Sequence, residues 1–337
     1  MPLSFIDETP RMEIAPLRAL VADDMHIVDR IIRERLASDV ALINQLGSYI
    51  VGGGGKRLRP MVVLIMARAC GHPAGSEQHA LLGAIVEMIH TATLLHDDVV
   101  DESEIRRGRQ TANALWGNEA SVLVGDFLYT RAFEMMVALD DMPTMAAFSR
   151  TTNRIAEGEV MQLMHVNDPT VSETRYREVI YRKTAVLFEA GCELAARLAL
   201  GSEAPQTCQA AAAYGRHLGT AFQLADDALD YDGNVTAIGK NIGDDLAEGK
   251  PTLPLIHCLA HCDAATGVML REAIATGGRE HASDVTHALV ATGSIEYVRS
   301  LAEHEADLAT QALQKLPDNR FSEALSSLAA FSVKRDH

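Results

Sequence analysis

The sequence is short of positive charge, with 30 Lys and Arg against 46 Asp and Glu and a net charge of −16. Phosphate backbones and anionic lipid surfaces attract Lys and Arg fields, so this deficit argues against a nucleic-acid partner or a stable anionic-membrane surface. Cysteine is scarce too. The five, at positions 70, 192, 208, 258 and 262, are odd in number and scattered, which argues against a disulfide framework and fits a reducing, cytoplasmic setting. No apolar stretch reaches the roughly 18 residues a spanning helix needs. The first residues include Asp7, Glu8 and Glu13 where a secretory leader would be basic. Period-2 alternation is rare and aromatic residues make up only 5%, so strands have little support. No Ser/Pro/Gly-rich linker marks a cut, although 337 residues exceeds the roughly 250–300 at which single cores stop growing. One large helical domain over residues 1–337 satisfies both facts, with about the first 15 residues loosely ordered.

What is present is helical periodicity. Leu81, Ile85, Met88, Ala92 and Leu95 recur at helical spacing, as do Leu123, Phe127, Ala132 and Met135. Ala is abundant, and Pro is kept mostly to element edges, at Pro60, Pro73, Pro143, Pro169, Pro205 and Pro254. Glycine-rich or proline-rich stretches at residues 52–55, 71–75, 140–143, 167–169, 201–205 and 233–249 separate segments of helical length. An all-α protein of ten or more helices follows.

Chemistry enters with acid. Asp97, Asp98 and Asp101 stand after the apolar run Thr91-Ala92-Thr93-Leu94-Leu95, and Asp226, Asp227 and Asp230 after Ala221-Phe222-Gln223-Leu224-Ala225. On a helix, residues four apart share a face. Like charges at that spacing destabilise a helix by a few tenths of a kcal/mol, so two such triplets in core-like sequence point to a bound cation. All-oxygen ligands favour Mg²⁺ over zinc, which prefers His or Cys. Cations alternate with these acids along the chain. Gly52-Gly53-Gly54-Gly55-Lys56-Arg57-Leu58-Arg59-Pro60 joins permissive backbone to three positive side chains, as a phosphate or diphosphate requires. It is not a Walker loop, because Arg57 follows the Lys where Ser or Thr belongs. Arg106, Arg107 and Arg109 follow the first triplet, while Lys183-Thr184, Lys240 and Lys250 bracket the second. Two other metal signals are weaker. His257, Cys258, His261 and Cys262 lie within six residues, and a tetrahedral zinc site seldom takes all four ligands from so short a helical stretch. His96-Asp97 alone would leave the aspartate triplets unexplained.

In order along the chain come Gly-Gly-Lys56-Arg57-Leu58-Arg59-Pro60, His90, Leu95-His96-Asp97-Asp98-Val99-Val100-Asp101, Arg106-Arg107-Gly108, Gly125-Asp126-Phe127-Leu128, Lys183-Thr184, Gln223-Leu224-Ala225-Asp226-Asp227 and the stretch from Gly239 to Pro254. Over nearly its whole length the chain resembles the trans-polyprenyl diphosphate synthases, most closely the bacterial octaprenyl diphosphate synthases of quinone biosynthesis. The resemblance implies the all-α isoprenoid-synthase fold around a central cavity, a homodimer, and condensation of isopentenyl diphosphate onto an allylic diphosphate, with farnesyl diphosphate the expected primer. It implies that Asp97, Asp98, Asp101, Asp226, Asp227 and Asp230 bind three Mg²⁺. It matches Lys56, Arg59, His90 and Arg107 to the isopentenyl diphosphate site, with Arg57 a further candidate. Arg106, Lys183, Thr184, Gln223 and Lys240 match positions that contact the allylic substrate, where Thr184 and Gln223 would turn oxygen dipoles towards the developing cation. Asp97, Asp98, Asp101, Lys183, Asp226 and Asp227 carry the catalysis on this reading. Released pyrophosphate takes the proton, so no separate general base is expected.

Product length should depend on the helix that carries Asp97. One turn back, Ala92 and Thr93 are small, where short-chain members of the family place an aromatic residue; Ile89 is the candidate floor, with Met135 and Met136 as neighbours. A long product follows, of heptaprenyl to decaprenyl size, and its release fits transient membrane contact. A terpene cyclase would usually replace the second Asp triplet with an Asn/Ser/Glu set, and a non-catalytic subunit of a heteromeric synthase usually has degraded Asp motifs. All six aspartates are present.

Overall fold

The computed structural model describes residues 14–334 except 54, 107 and 233–242, together with all but the side chain of residue 279. The loosely ordered first residues expected from sequence, together with Arg107 and Lys240, therefore lie almost wholly outside the described residues. Seventeen α-helices account for nearly all of the described chain, and the one sheet found there is a two-residue antiparallel ribbon pairing Ile105–Arg106 with Arg109–Gln110.

Local chemistry starts and stops these helices where expected. The Ser76 side chain accepts from the Gln78 backbone N–H at the head of Glu77–Val100, and Asp141 accepts from Thr144 at the head of Met142–His165, with Pro143 in the first turn. Pro205 opens Pro205–Leu229. Gly277, at φ 63°, closes Ala264–Thr276 in the left-handed conformation that glycine adopts without strain.

The helix Leu58–Ala69 is apolar and buried except at Arg59 and Arg68, which are half-buried, and it lies in a cluster that includes Met61, Leu64, Ile65 and Met66. Burying each such side chain contributes roughly 1.5–3 kcal/mol. The helix Glu77–Val100 packs against it and against Ala22–Leu36 and Asn118–Ala138. A second cluster gathers Leu224, Leu253, Leu270, Leu289 and Val298. Pro205–Leu229 joins the two, since its Tyr214 and Leu218 belong to the first and its Leu224 and Ala228 to the second. The predicted apolar stripe of Glu77–Val100 is inside at Ile85, Met88, Ala92 and Leu95. Leu123 departs from the pattern: it is 67% exposed on Asn118–Ala138.

Candidate active site

The two aspartate triplets end two of the longest helices. Asp97 and Asp98 occupy the last turn of Glu77–Val100 and Asp101 caps it; Asp226 and Asp227 end Pro205–Leu229 and Asp230 caps that one. Cations link them. The Lys250 ammonium lies 2.7 Å from an Asp101 oxygen and also feels Asp245, whose backbone N–H donates to the Asp230 carboxylate at 3.1 Å. Lys250 thus joins the first triplet to the surroundings of the second. The Lys183 ammonium lies 3.3 Å from Asp97, and Arg106, on the ribbon, donates to Asp98 at 2.7 Å. Burial pushes the Asp98 carboxyl up while Arg106 holds it down. Asp227 is buried and Asp245 half-buried, and desolvation together with neighbouring carboxylates drives both well above the usual range. Among the described residues no three His, Cys, Asp or Glu are drawn into one metal-sized cluster.

Lys183 and Thr184 sit on a π-helical turn, Tyr181–Ala185, between two α-helices. Such turns are rare and frequently mark functional sites. Glycines seat this one: a Cβ on Gly158 would lie 2.7 Å from Arg182 Cβ and 2.8 Å from Lys183 N, and one on Gly219 would lie 2.7 Å from Ala185 Cα. The Thr184 hydroxyl donates to Gln223 Oε1 at 2.9 Å, and Gln223 Nε2 donates to Asp227 at 2.8 Å. Gln223 is therefore a link between Thr184 and the second triplet, with its carbonyl engaged by Thr184.

The glycine-rich turn forms a second, distinct group of cations. Arg59 and His90 meet at 2.9 Å, and the Arg59 guanidinium stacks over Phe188 at 4.8 Å. Lys56 lies over the Phe331 ring, while Arg18 donates to the Lys56 carbonyl at 2.8 Å. Arg57 goes elsewhere. Its backbone is left-handed, at φ 47°, and its guanidinium pairs with Glu87 at 2.6 Å. Of the candidates for product length, Ile89 and Ala92 are fully buried, as are Met135 and Met136 on the neighbouring helix, and the Thr93 hydroxyl donates to the His90 carbonyl. His257 and His261 stack at 4.0 Å and spend their Nδ1 atoms on Ser294 and the His257 carbonyl.

Sequence reasoning passed over Glu159. It accepts from Lys183 at 2.6 Å, so Lys183 is shared between Glu159 and Asp97. Burial, only partly opposed by Lys183, raises the Glu159 carboxyl to about 7. A carboxyl with a folded pKa above its unfolded value binds protons preferentially in the folded state, so it favours folding at low pH and opposes it as pH rises from about 4.5 through 7. In metal-free buffer, Glu159→Gln is accordingly expected to stabilise the protein at pH 8 by up to about 3 kcal/mol and to leave it little changed at pH 5. Chemical denaturation at the two pH values reads this directly; equal effects at both would refute it.

The all-α scaffold thus sets Lys183 and Arg106 on the first aspartate triplet and Lys250 between Asp101 and Asp245, which bonds the second, with the Arg59–His90 pair beside the glycine-rich turn; carboxylates and cations so interleaved suit a metal-bound diphosphate. The polyprenyl synthetase family model matches residues 40–292. Octaprenyl diphosphate synthase of Escherichia coli strain K12 is 53% identical over 326 residues, covering 96% of this chain and 100% of that one. An all-trans-nonaprenyl-diphosphate synthase of Rhodobacter capsulatus is 44% identical, with 94% and 96% covered. The crystal structure of a polyprenyl synthase from Caulobacter crescentus CB15, complexed with calcium and isoprenyl diphosphate, superposes with a TM-score of 0.91 at 42% identity, over 97% of this chain and 99% of that one. The chain belongs to the polyprenyl synthetase family. It is a prenyltransferase that condenses isopentenyl diphosphate head-to-tail onto an allylic diphosphate to give a long-chain trans-polyprenyl diphosphate.

Proposed function

We propose that the product is octaprenyl diphosphate, made from farnesyl diphosphate with Mg²⁺ and used as a quinone side chain. The observation that supports this reading is the 53% identity over nearly the whole chain to an octaprenyl diphosphate synthase, with Lys250 held between Asp101 and Asp245, whose backbone N–H donates to Asp230. The residues fit the metal. Mg²⁺ takes oxygen ligands and is usually held by one or two carboxylates plus substrate phosphates, not by an all-protein cage. Asp97, Asp98, Asp101, Asp226, Asp227 and Asp230 supply such oxygens on two walls. When bound, Mg²⁺ would neutralise charge on the departing pyrophosphate as a Lewis acid.

The protein's own groups do the rest. Lys183 and Lys250, with Arg106 and Lys240, grip diphosphate oxygens directly, so charge developing as the allylic C–O bond breaks meets fixed cations. Thr184, held by Gln223, presents its oxygen to the allylic cation. Lys56, Arg59, His90 and Arg107 hold isopentenyl diphosphate while its double bond attacks, and the pyrophosphate removes the proton. Arg57, paired with Glu87, supports the glycine-rich turn from behind. The described helices do not include one long and apolar enough to cross a membrane. We assign the enzyme to the cytoplasm as one functional unit, with contact to lipid limited to release of its apolar product.

The test is direct. Purified protein, Mg²⁺, labelled isopentenyl diphosphate and farnesyl diphosphate should yield a labelled octaprenol after dephosphorylation, and none with EDTA. Absence of lipid-extractable label would sink the proposal; a different length would refute the octaprenyl assignment alone.

A homodimer is part of the proposal. Val160, Leu163 and Met164 form an exposed stripe at one-turn spacing on Met142–His165. Such a stripe suits a second copy of the chain. Light scattering should give twice 36.5 kDa for the wild type and 36.5 kDa for Leu163→Glu/Met164→Glu. A wild-type monomer would end this part of the proposal.

A further inference from the structure

Asp227 is held on both sides. Tyr176 donates its hydroxyl to Oδ2 and Gln223 donates its amide to Oδ1. Tyr176 is itself buried, in the cluster that contains Val171, Ile180, Leu224 and Tyr231, and its hydroxyl lies beside a carboxylate that is only 2% exposed. A carboxylate has two acceptor positions on each oxygen, and rotation about its terminal torsion is otherwise broad. One rigid donor on each oxygen fixes the plane of the group and leaves the remaining acceptor positions aimed away from the donors.

The placement of Tyr176 is as telling as the bond. The helix Glu173–Ile180 runs straight into the π-helical turn Tyr181–Ala185. One short stretch therefore contacts Asp227 through Tyr176, reaches it again through Thr184 and Gln223, and contacts Asp97 through Lys183. The stretch is anchored at its start, where Glu173 accepts from Arg177 at 2.8 Å and from Tyr297 at 3.2 Å. It spans from one triplet to the other.

We propose that Tyr176 is a positioning residue for the diphosphate–metal site, setting the orientation of Asp227 from the strut that also carries Lys183. The proposal rests on the reading of Asp227 as a metal ligand. Partners that orient metal-binding groups typically change metal affinity by 10–100-fold when removed.

Calorimetric titration of Mg²⁺ with inorganic pyrophosphate into wild type, Tyr176→Phe and Asp227→Asn, beside titration of isopentenyl diphosphate in metal-free buffer, separates the possibilities. Phenylalanine keeps the buried ring, and an unfolding scan verifies the fold. The expected result is about 10–100-fold weaker binding of Mg²⁺–pyrophosphate by Tyr176→Phe, with isopentenyl diphosphate affinity unchanged. Equal loss of both ligands would mean a merely structural tyrosine and overturn the proposal. Unchanged Mg²⁺–pyrophosphate binding by Tyr176→Phe, with loss in Asp227→Asn, would overturn it while leaving the site reading intact. No loss in either variant would overturn both.

Discussion

Asp97→Asn is expected to lower turnover by about 10²–10³-fold while leaving the KM for isopentenyl diphosphate nearly unchanged. Asparagine keeps the shape and removes the charge, so the change is electrostatic. Two things are lost together: the negative charge on an oxygen proposed to face Mg²⁺, and one of the two carboxylates that share Lys183, whose ammonium stands 3.3 Å from Asp97 and 2.6 Å from Glu159. Lys183 would then lean on Glu159 alone, displaced from the diphosphate. Arg59 and His90 belong to the other group of cations, with Arg59 over Phe188, and in the proposed reading they hold isopentenyl diphosphate. The loss should therefore fall on the ionisation step and not on binding of the second substrate. Rapid-quench measurement of a single condensation, with Mg²⁺ varied, isolates that step. Turnover within a few-fold of wild type would remove Asp97 from the catalytic set, and a rise in KM with turnover intact would move it to substrate binding.

How much of this site the sequence discloses follows from how each residue earns its place. Asp97, Asp98 and Asp101 stand out because charge inside an apolar helical run has no local explanation, and the same holds for Asp226, Asp227 and Asp230. The all-α fold was visible for the same reason: period and caps are local. Tyr176 and Glu159 were not visible. A single Tyr or Glu on an amphipathic helix looks like any other, and what singles them out is a partner 51 residues away in Asp227 and 24 residues away in Lys183. Lys250 meets Asp101 across 149 residues, which motif order brackets but cannot measure. The π-helical turn leaves no periodic trace, and its signal is the space left by Gly158 and Gly219 on other helices. Arg57 is a different case: three cations within four residues read as one cradle, and the structure adds a left-handed backbone at Arg57 with its guanidinium paired to Glu87. Leu123 departs from expectation because an apolar residue at helical spacing cannot say whether its face meets the chain's own core.

Ala92→Phe is expected to shorten the product to roughly three or four isoprene units, farnesyl to geranylgeranyl size, because an aromatic body occupies the space of several methylenes. Ala92 is fully buried, one turn before Asp97, so a larger side chain there cannot swing into solvent. The chain grows from the diphosphate inward, and a ring placed one turn below Asp97 stops it early. Ile89, two turns back and also buried, lies deeper, with Met135 and Met136 on the helix that packs alongside. Ile89→Phe should then truncate less than Ala92→Phe. Thr93 stands one residue nearer Asp97, with its hydroxyl donating to the His90 carbonyl. Stability discriminates between the two places Ala92 could face. If it lines the growing chain's path, phenylalanine fills space the product would occupy, and the unfolding free energy changes little. If it packs only against core, overpacking costs about 1–3 kcal/mol and the product keeps its length. Chromatography of the dephosphorylated products and a denaturant titration of the same preparation distinguish these outcomes, and full-length product from a destabilised Ala92→Phe enzyme would place the path of the chain elsewhere.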